Sequence, residues 1–462
     1  MTGGFKMTAG RLSLLAAAGF LLAGGATAQA ADLGGDCCAD LEERIAELEA
    51  TTARKGNRKV KLEVSGHVNE AVIFWDDGVE SNAGVYTNDA SRTRFRFKGD
   101  AKIADDWKAG YLLEVGVRAN NSKRFDQDAT TPMEENGLDL RHSVWYIDSK
   151  KLGRVWVGLT GGAGESVTEI NVAGTGDVAK YSDVEDLGGG LALRRADGFF
   201  SDGTNVVGGS SNNIRIRRLI RDGGDQPGEG RRYNMIRYDT PEIAGFVGTA
   251  NWGADDAWEI GLRYKGEFAG LKVAAGIAYG ESNEATNSAT QVGFQCTATG
   301  SLGAKEDCQQ VGGSISIMHE ATGLYTNFAA GQMTDDQVQD AFGAPVDDTY
   351  EFWALEAGIQ QKWVALGKTT VFGQYYNYDG GAIFRNYDDA FDDGVPGAQD
   401  VGRILNSELN IYSLGVMQGI DNAAMNVYAM YRHIEAEAET ENLGKMDFQD
   451  VDLFMTGAII KF

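Results

Sequence analysis

From residue 58 onward, apolar and polar residues alternate with period two. Segment 106–118 sets Trp107, Ala109, Tyr111, Leu113, Val115 and Val117 against Lys108, Gly110, Glu114 and Arg118. Segment 257–265 sets Trp258, Ile260, Leu262 and Tyr264 against Glu259, Gly261, Arg263 and Lys265, and 271–279 repeats the pattern. Successive side chains of an extended strand point to opposite faces, so each segment carries one apolar face. The pattern predicts strands near 59–75, 90–103, 106–119, 138–149, 153–160, 231–240, 246–253 and 256–267. It continues near 270–282, 311–320, 323–333, 349–362, 367–379, 407–418, 422–436 and 450–462.

These are sixteen strands, an even number, which returns both termini to one end. Short turns such as "KKLG" (150–153), "TPEIAG" (240–245) and "EATG" (320–323) interleave with mostly longer connections, including 161–230, 283–310, 334–348 and 380–406. Segments of about ten residues with a dyad repeat, short turns at one end and long loops at the other, predict an antiparallel transmembrane β-barrel. A soluble β-sandwich also alternates, but it does not need one apolar face on nearly every strand. Trp75, Trp107, Trp145, Trp252 and Trp363 fall where interfacial girdles are expected.

The first 57 residues follow other rules. Lys6 and Arg11 precede a short apolar run, 12–25, and Ala28-Gln29-Ala30 fits a small-x-small cleavage site. Residues 1–30 therefore read as a secretory signal peptide, with Met1 or Met7 as the start, because the run is too short to span a bilayer. Residues 40–53 place Leu41, Ile45, Leu48 and Thr52 at spacings of four, three and four, a coiled-coil seam about two heptads long. The segment 31–56 is expected to be a short periplasmic helix, either a solvated spacer or a tether to the cell wall. After residue 30 no run of 18 apolar residues appears, so helical spans are not expected.

Charge and candidate chemistry narrow the function. A formal net charge of -25 argues against nucleic acid as partner, since phosphate binding needs a basic footprint. Cys296 and Cys308 flank a polar, Gly-containing stretch and are expected to form a loop-closing disulfide in an exported protein. Cys37 and Cys38 are adjacent and poorly placed to bridge each other, leaving a link between chains open. His67, His142, His319 and His433 show no metal-ligand spacing, and a hydrolase would need Ser, His and an orienting group on one face, so no enzyme is expected. "GLTGGAGES" (158–166) lacks the dinucleotide-binding pattern. No cofactor is expected. Asp388, Asp389, Asp392 and Asp393 offer carboxylates for a divalent cation and lipid A phosphates, or simply a solvated charge run.

The stretch "SRTRFRFKGD" (91–100) decides which face is which. Arg92, Arg94, Arg96 and Lys98 alternate with Thr93, Phe95 and Phe97. Lipid-facing Arg or Lys costs roughly 2–4 kcal/mol each at the bilayer midplane. A one-residue slip of this strand would cost about 4–8 kcal/mol even if two cations escaped to the interfaces, comparable with a domain's net stability. The cations, with Arg118 and Arg263 on the polar faces of their own strands, are therefore expected to line a water-filled lumen. Loop 161–230 is the longest connection, and a connection of that length without a role is improbable. It carries Glu165, Glu169, Asp177, Asp183, Glu185 and Asp186, then a basic run, "IRIRRLIRD" (214–222).

The last strand, "DLFMTGAIIKF", alternates Phe454, Thr456, Ala458, Ile460 and Phe462 and ends on an aromatic residue. It resembles the recognition signal that outer-membrane barrels present to their assembly machinery. "DCCADLEERIAELEATTARKGNRKVKLEVSGHVNEAVIFW" (36–75), "RYDTPEIAGF" (237–246) and "NWGADDAWEIGLRYKGEFAGLKVAAGIAYGE" (251–281) resemble alphaproteobacterial general porins over most of the mature chain. That resemblance implies a sixteen-stranded trimeric barrel in the outer membrane, among lipid and lipopolysaccharide, with the third external loop folded inward. Loop 161–230 would then be the constriction, its six acids facing the basic wall. Across an eyelet of roughly 8–10 Å, salt would only partly screen that field. The implied function is passive diffusion of small hydrophilic solutes and ions. The alternatives are a substrate-specific channel, or a barrel-anchored tether between outer membrane and cell wall.

Overall fold

The computed structural model describes residues 60–462 apart from 118–119, 129–136, 206, 208–212, 224, 254–255, 284–293, 295, 297–306 and 388–398. The expectations for segments 1–30 and 31–56, for Cys37 and Cys38, for Arg118 and for the Asp388, Asp389, Asp392 and Asp393 group lie outside the described residues.

The alternating segments become strands β1 (Glu63–Asp76), β2 (Ser81–Thr87), β3 (Arg94–Ala104), β4 (Trp107–Val117), β5 (Leu138–Ser149), β6 (Gly153–Gly161) and β7 (Arg232–Asp239). They continue as β8 (Phe246–Gly253), β9 (Ala257–Phe268), β10 (Leu271–Ser282), β11 (Cys308–His319), β12 (Leu324–Asp335) and β13 (Thr349–Val364). The last are β14 (Gly367–Gly380), β15 (Ile383–Tyr387), β16 (Gly402–Ile420), β17 (Met425–Thr440), β18 (Gly444–Asp447) and β19 (Val451–Lys461). Two short helices, α1 (Ile216–Leu219) and α2 (Gln337–Phe342), lie in the long loops.

Sixteen of these strands close a barrel, because β19 pairs antiparallel with β1 and every other barrel strand pairs with its neighbours. Closure removes the sheet edge, so every ladder N–H and C=O has a partner without water, as a lipid environment demands. The remaining three, β2, β15 and β18, extend β1, β16 and β17 at the long-loop end. The short turns are tight. At Gly153 φ is +87°, and a Cβ there would lie 2.1 Å from the Asp239 carbonyl oxygen, so only glycine fits.

Face assignment follows the period. Phe74, Trp107, Trp145, Trp252, Ile260, Leu262, Ile277, Trp363, Ile460 and Phe462 are exposed on the outer surface. Trp75 is a correction. It is only 3% exposed, because β1 turns Asn69, Ala71, Ile73 and Trp75 inward and leaves Phe74 to face out against Phe454. A girdle tryptophan must share the parity of its lipid-facing neighbours, and Trp75 has the opposite one.

The lumen is not uniformly polar. Ile73, Leu409, Ile411, Ile434, Leu453 and Met455, on the inner faces of β1, β16, β17 and β19, are all buried. They form one apolar cluster with Val184, Leu187, Leu191, Leu193, Ile216 and Leu219 from the connection between β6 and β7. The described part of that connection, residues 162–231, folds into the barrel and packs against these strands. Burying a leucine- or isoleucine-sized side chain is worth about 1.5–3 kcal/mol, so the apolar half of the lumen holds the loop in place.

Candidate functional site: the charged passage between loop and wall

Beside the apolar wall, where β3 pairs with β1, β3 and β5 carry basic side chains and β4 places Glu114 between them. Arg96 and Glu114 are cross-strand partners, and Arg94 sits two residues along the same face. Arg96 donates from Nε to Glu114 Oε2 at 2.7 Å, and Arg94 Nη1 lies 3.4 Å from Oε1. Between β4 and β5 the register skips Arg141, which makes it the extra residue of a β-bulge. The bulge turns Arg141 inward beside His142, and its Nε donates to Glu114 Oε1 at 2.8 Å. One buried carboxylate thus holds three guanidinium groups.

The other basic residues read from sequence divide. Arg92 precedes β3 rather than extending it, and pairs with Asp89 at 3.0 Å and Asp139 at 2.8 Å. The basic ladder therefore begins at Arg94, a correction caused by the loop turn over residues 89–91. Lys98 continues the inward parity and is exposed. Arg263 is inward on β9 but is spent on the loop's base, donating to the Ala163 carbonyl at 3.2 Å and also to those of Glu165 and Ser166.

The six loop acids do not form a bare acidic face. Glu165 pairs with Arg232, Asp177 with Lys461, and Glu169 with Lys180 at 2.8 Å. Lys180 also holds Asp183 and lies 3.2 Å from Asp186. Lys123, from the β4–β5 loop, reaches Glu185 at 3.0 Å and Asp186 at 3.4 Å. Burial works against the charge on Lys123, and Glu185 and Asp186 overcome it, holding the ammonium above its ordinary value. Burial and the adjacent Asp183 push Asp186 up to about 6 and raise Glu185 well above the usual carboxylate range. Glu165 moves the other way: burial opposes its ionisation, but the Arg232 guanidinium holds it below the ordinary value.

Two cavities meet in this region, one of about 1210 Å³ toward the long-loop end and one of about 430 Å³ toward the short-turn end. The charged residues lining both are Arg94, Arg141, Arg232, Lys180, Glu165 and Glu169, which marks them as the waist between the two. Asp183, Asp186 and Arg92 line only the larger cavity, Asp177 and Arg96 only the smaller, and Glu185, Lys98 and Arg263 neither. Sequence reading missed Arg141, Lys180 and Arg232. Arg141 depends on a bulge, while Lys180 and Arg232 take their places only once the loop has folded.

The loop is fixed at both its base and its far side. Gly162, Gly164 and Gly230 surround Glu259, whose oxygens occupy the space a Cβ at any of them would need. On the far wall, buried Glu356 accepts from Thr175 at 2.6 Å, Asn171 at 3.2 Å, Asn327 at 3.0 Å and Gln374 at 2.7 Å. Arg432 on β17 donates to the Leu187 carbonyl at 3.4 Å and to that of Val184. Carboxylates of Asp183, Glu185 and Asp225 converge as cation ligands would, but the Lys123 ammonium already stands among them, 3.8 Å from Asp225. Cys296 and Cys308 are joined as a disulfide.

This geometry can be set beside known proteins. No curated sequence matches the chain. Among solved structures, the fold is similar to an anion-selective porin from Comamonas acidovorans, with 13% identity and a TM-score of 0.51 over 87% of this chain and 100% of that one. It is also similar to OmpT, an outer membrane protein of Vibrio cholerae, with 13% identity and a TM-score of 0.49 over 88% and 99% of the two chains. Salmonella typhi OmpF in complex with daunomycin aligns at 13% identity and a TM-score of 0.46, over 87% and 98%. At such identity the first likeness speaks for the barrel alone, and nothing is argued from the other two. The sequence model of the Gram-negative porins matches residues 13–439, nearly the whole chain, and the protein is therefore a member of the Gram-negative porin family, an outer-membrane β-barrel channel.

Proposed function

We propose that this porin passes small hydrophilic solutes passively through its lumen, favours anions, and works as a homotrimer of the alphaproteobacterial general-porin type. The reading rests on the waist, where Arg94, Arg141, Arg232 and Lys180 meet only Glu165 and Glu169. Of the remaining loop acids, Asp183, Glu185 and Asp186 are buried and matched by Lys123 and Lys180, and Asp177 pairs with Lys461. Rings of charged side chains sort ions by sign, and a basic excess of two favours anions. In this reading Glu165 and Glu169 supply the acidic side of the field, Arg94 and Arg141 the basic wall, and no bond is made or broken. The basic wall facing a buried, partly neutralised loop favours this over a cation-preferring pore. The Comamonas acidovorans porin, described as anion-selective, offers a parallel.

The test is the reversal potential of the purified protein in a planar bilayer under a tenfold KCl gradient. An ohmic conductance with chloride more permeant than potassium is expected. Absence of conductance from a folded, heat-modifiable trimer would overturn the channel reading, and potassium preference would overturn the assignment of the waist.

A further inference from the structure

Glu114 is a carboxylate on the wrong wall. It is fully buried, belongs to the face otherwise given to guanidinium groups, and accepts from residues on both neighbouring strands. Three guanidiniums within reach of one carboxylate repel one another, and strand geometry alone would not hold them together. Arg96 reaches Glu114 with Nε and Nη2, which fixes its plane against one carboxylate oxygen. Arg94 and Arg141 share the other oxygen, one from β3 and one from the β5 bulge. Of the three, Arg94 and Arg141 stand in the waist, while Glu114 lines only the smaller cavity behind it.

Resting on the channel reading above, we propose that Glu114 is the positioning residue that sets the porin's ion preference. It locks Arg94, Arg96 and Arg141 into one array and cancels one of their three charges. The bulge belongs to the same device. Had β5 paired without it, residues 141 and 142 would have pointed to opposite faces, and only one of them would share the face of Glu114. A wall with no carboxylate would be more basic but its guanidiniums would be free to splay into the passage. A wall with one carboxylate per arginine would carry no field. One shared carboxylate gives a stationary excess of two.

The experiment compares the wild-type protein with Glu114→Gln, Glu114→Asp and Arg141→Gln by reversal potential and single-channel recording. Coulomb's law across ~8 Å of water gives about a two- to fivefold change in the anion-to-cation permeability ratio for one unit charge. Glu114→Gln is expected to raise that ratio by this factor and to add open-channel noise. Glu114→Asp should restore the wild-type ratio, and Arg141→Gln should lower it. An unchanged ratio in a conducting, folded Glu114→Gln channel overturns the proposal. So does a fall in the ratio. If that variant does not fold, Arg141→Gln decides: an unchanged ratio there overturns the proposal equally. A wild-type protein that does not conduct would instead sink the channel reading on its own.

Discussion

Lys123 Nζ lies 3.0 Å from Glu185 Oε1 with both side chains buried, so the ammonium of one long loop sits among the carboxylates of another. Removing one partner of a buried ion pair costs about 3–5 kcal/mol, because the other is left without compensation. Lys123→Met should therefore loosen residues 162–231 locally while leaving the barrel closed. Limited proteolysis of the folded protein is expected to cut within that loop in the variant and not in the wild type. Lys123→Met combined with Glu185→Leu should recover much of the resistance. A single variant as resistant as the parent would show that the apolar cluster alone holds the loop.

The same carboxylates make the passage sensitive to pH. Burial and Asp183 raise Asp186 to about 6. As pH falls from 7.5 to 5, Asp186 takes up a proton, the loop loses negative charge, and the anion-to-cation permeability ratio should rise. The stability effect has the matching sign. The native state binds this proton more tightly than the unfolded chain does, so the contribution is full at low pH and is lost as pH rises through about 6. Reversal potentials at the two pH values check the selectivity. Asp186→Asn should abolish most of the shift, and a shift of full size in that variant would place its origin elsewhere.

Period two made the barrel legible. Each of the sixteen barrel strands appeared where alternation placed it, and Arg94 and Arg96 of β3 share a face with Glu114 of β4. What alternation cannot carry is any departure from two. The β5 bulge shifts parity at Arg141, and the inward Trp75 obeys the register of β1 rather than the appeal of an aromatic at a strand end. The extensions β2, β15 and β18 were invisible because their partners lie on strands that continue past the barrel rim. The loop acids were readable as residues but not as a field. Whether Glu169 and Asp183 face solute or Lys180 is settled by how the loop folds, and no local pattern encodes that.

Glu356 is the loop's hold on the far wall. Its carboxylate accepts from Asn171 and Thr175 of the loop and from Asn327 and Gln374 of β12 and β14. Hydrogen bonds to a charged group are worth about 1.5–3 kcal/mol each, and losing the acceptor leaves buried donors unsatisfied. Glu356→Ala is expected to release residues 171–175 and to give a larger, noisier conductance. Glu356→Gln keeps an acceptor oxygen and should stay near the parent. Equal conductance in Glu356→Ala and the parent would mean that Arg432 and the apolar cluster suffice.

The disulfide between Cys296 and Cys308 borders the passage. Cys296 lines the larger cavity, and Phe294, two residues earlier, is 1% exposed and accepts at its carbonyl from Arg221 Nη2 at 2.7 Å. The cross-link thus ties a piece of the β10–β11 connection to the end of β11 and, through Arg221, to the segment just past α1. Closing a loop with a sequence separation of 12 is worth about 3 kcal/mol in chain entropy. Reduction should free that piece, widen the larger cavity and raise the conductance, while leaving the waist and hence the ion preference unchanged. Planar-bilayer recordings before and after a membrane-impermeant reductant check this, with Cys296→Ser plus Cys308→Ser as the control that should already conduct at the reduced level. Mass spectrometry after alkylation supplies the independent arm: alkylation of both cysteines in untreated, folded protein would remove the basis for the prediction.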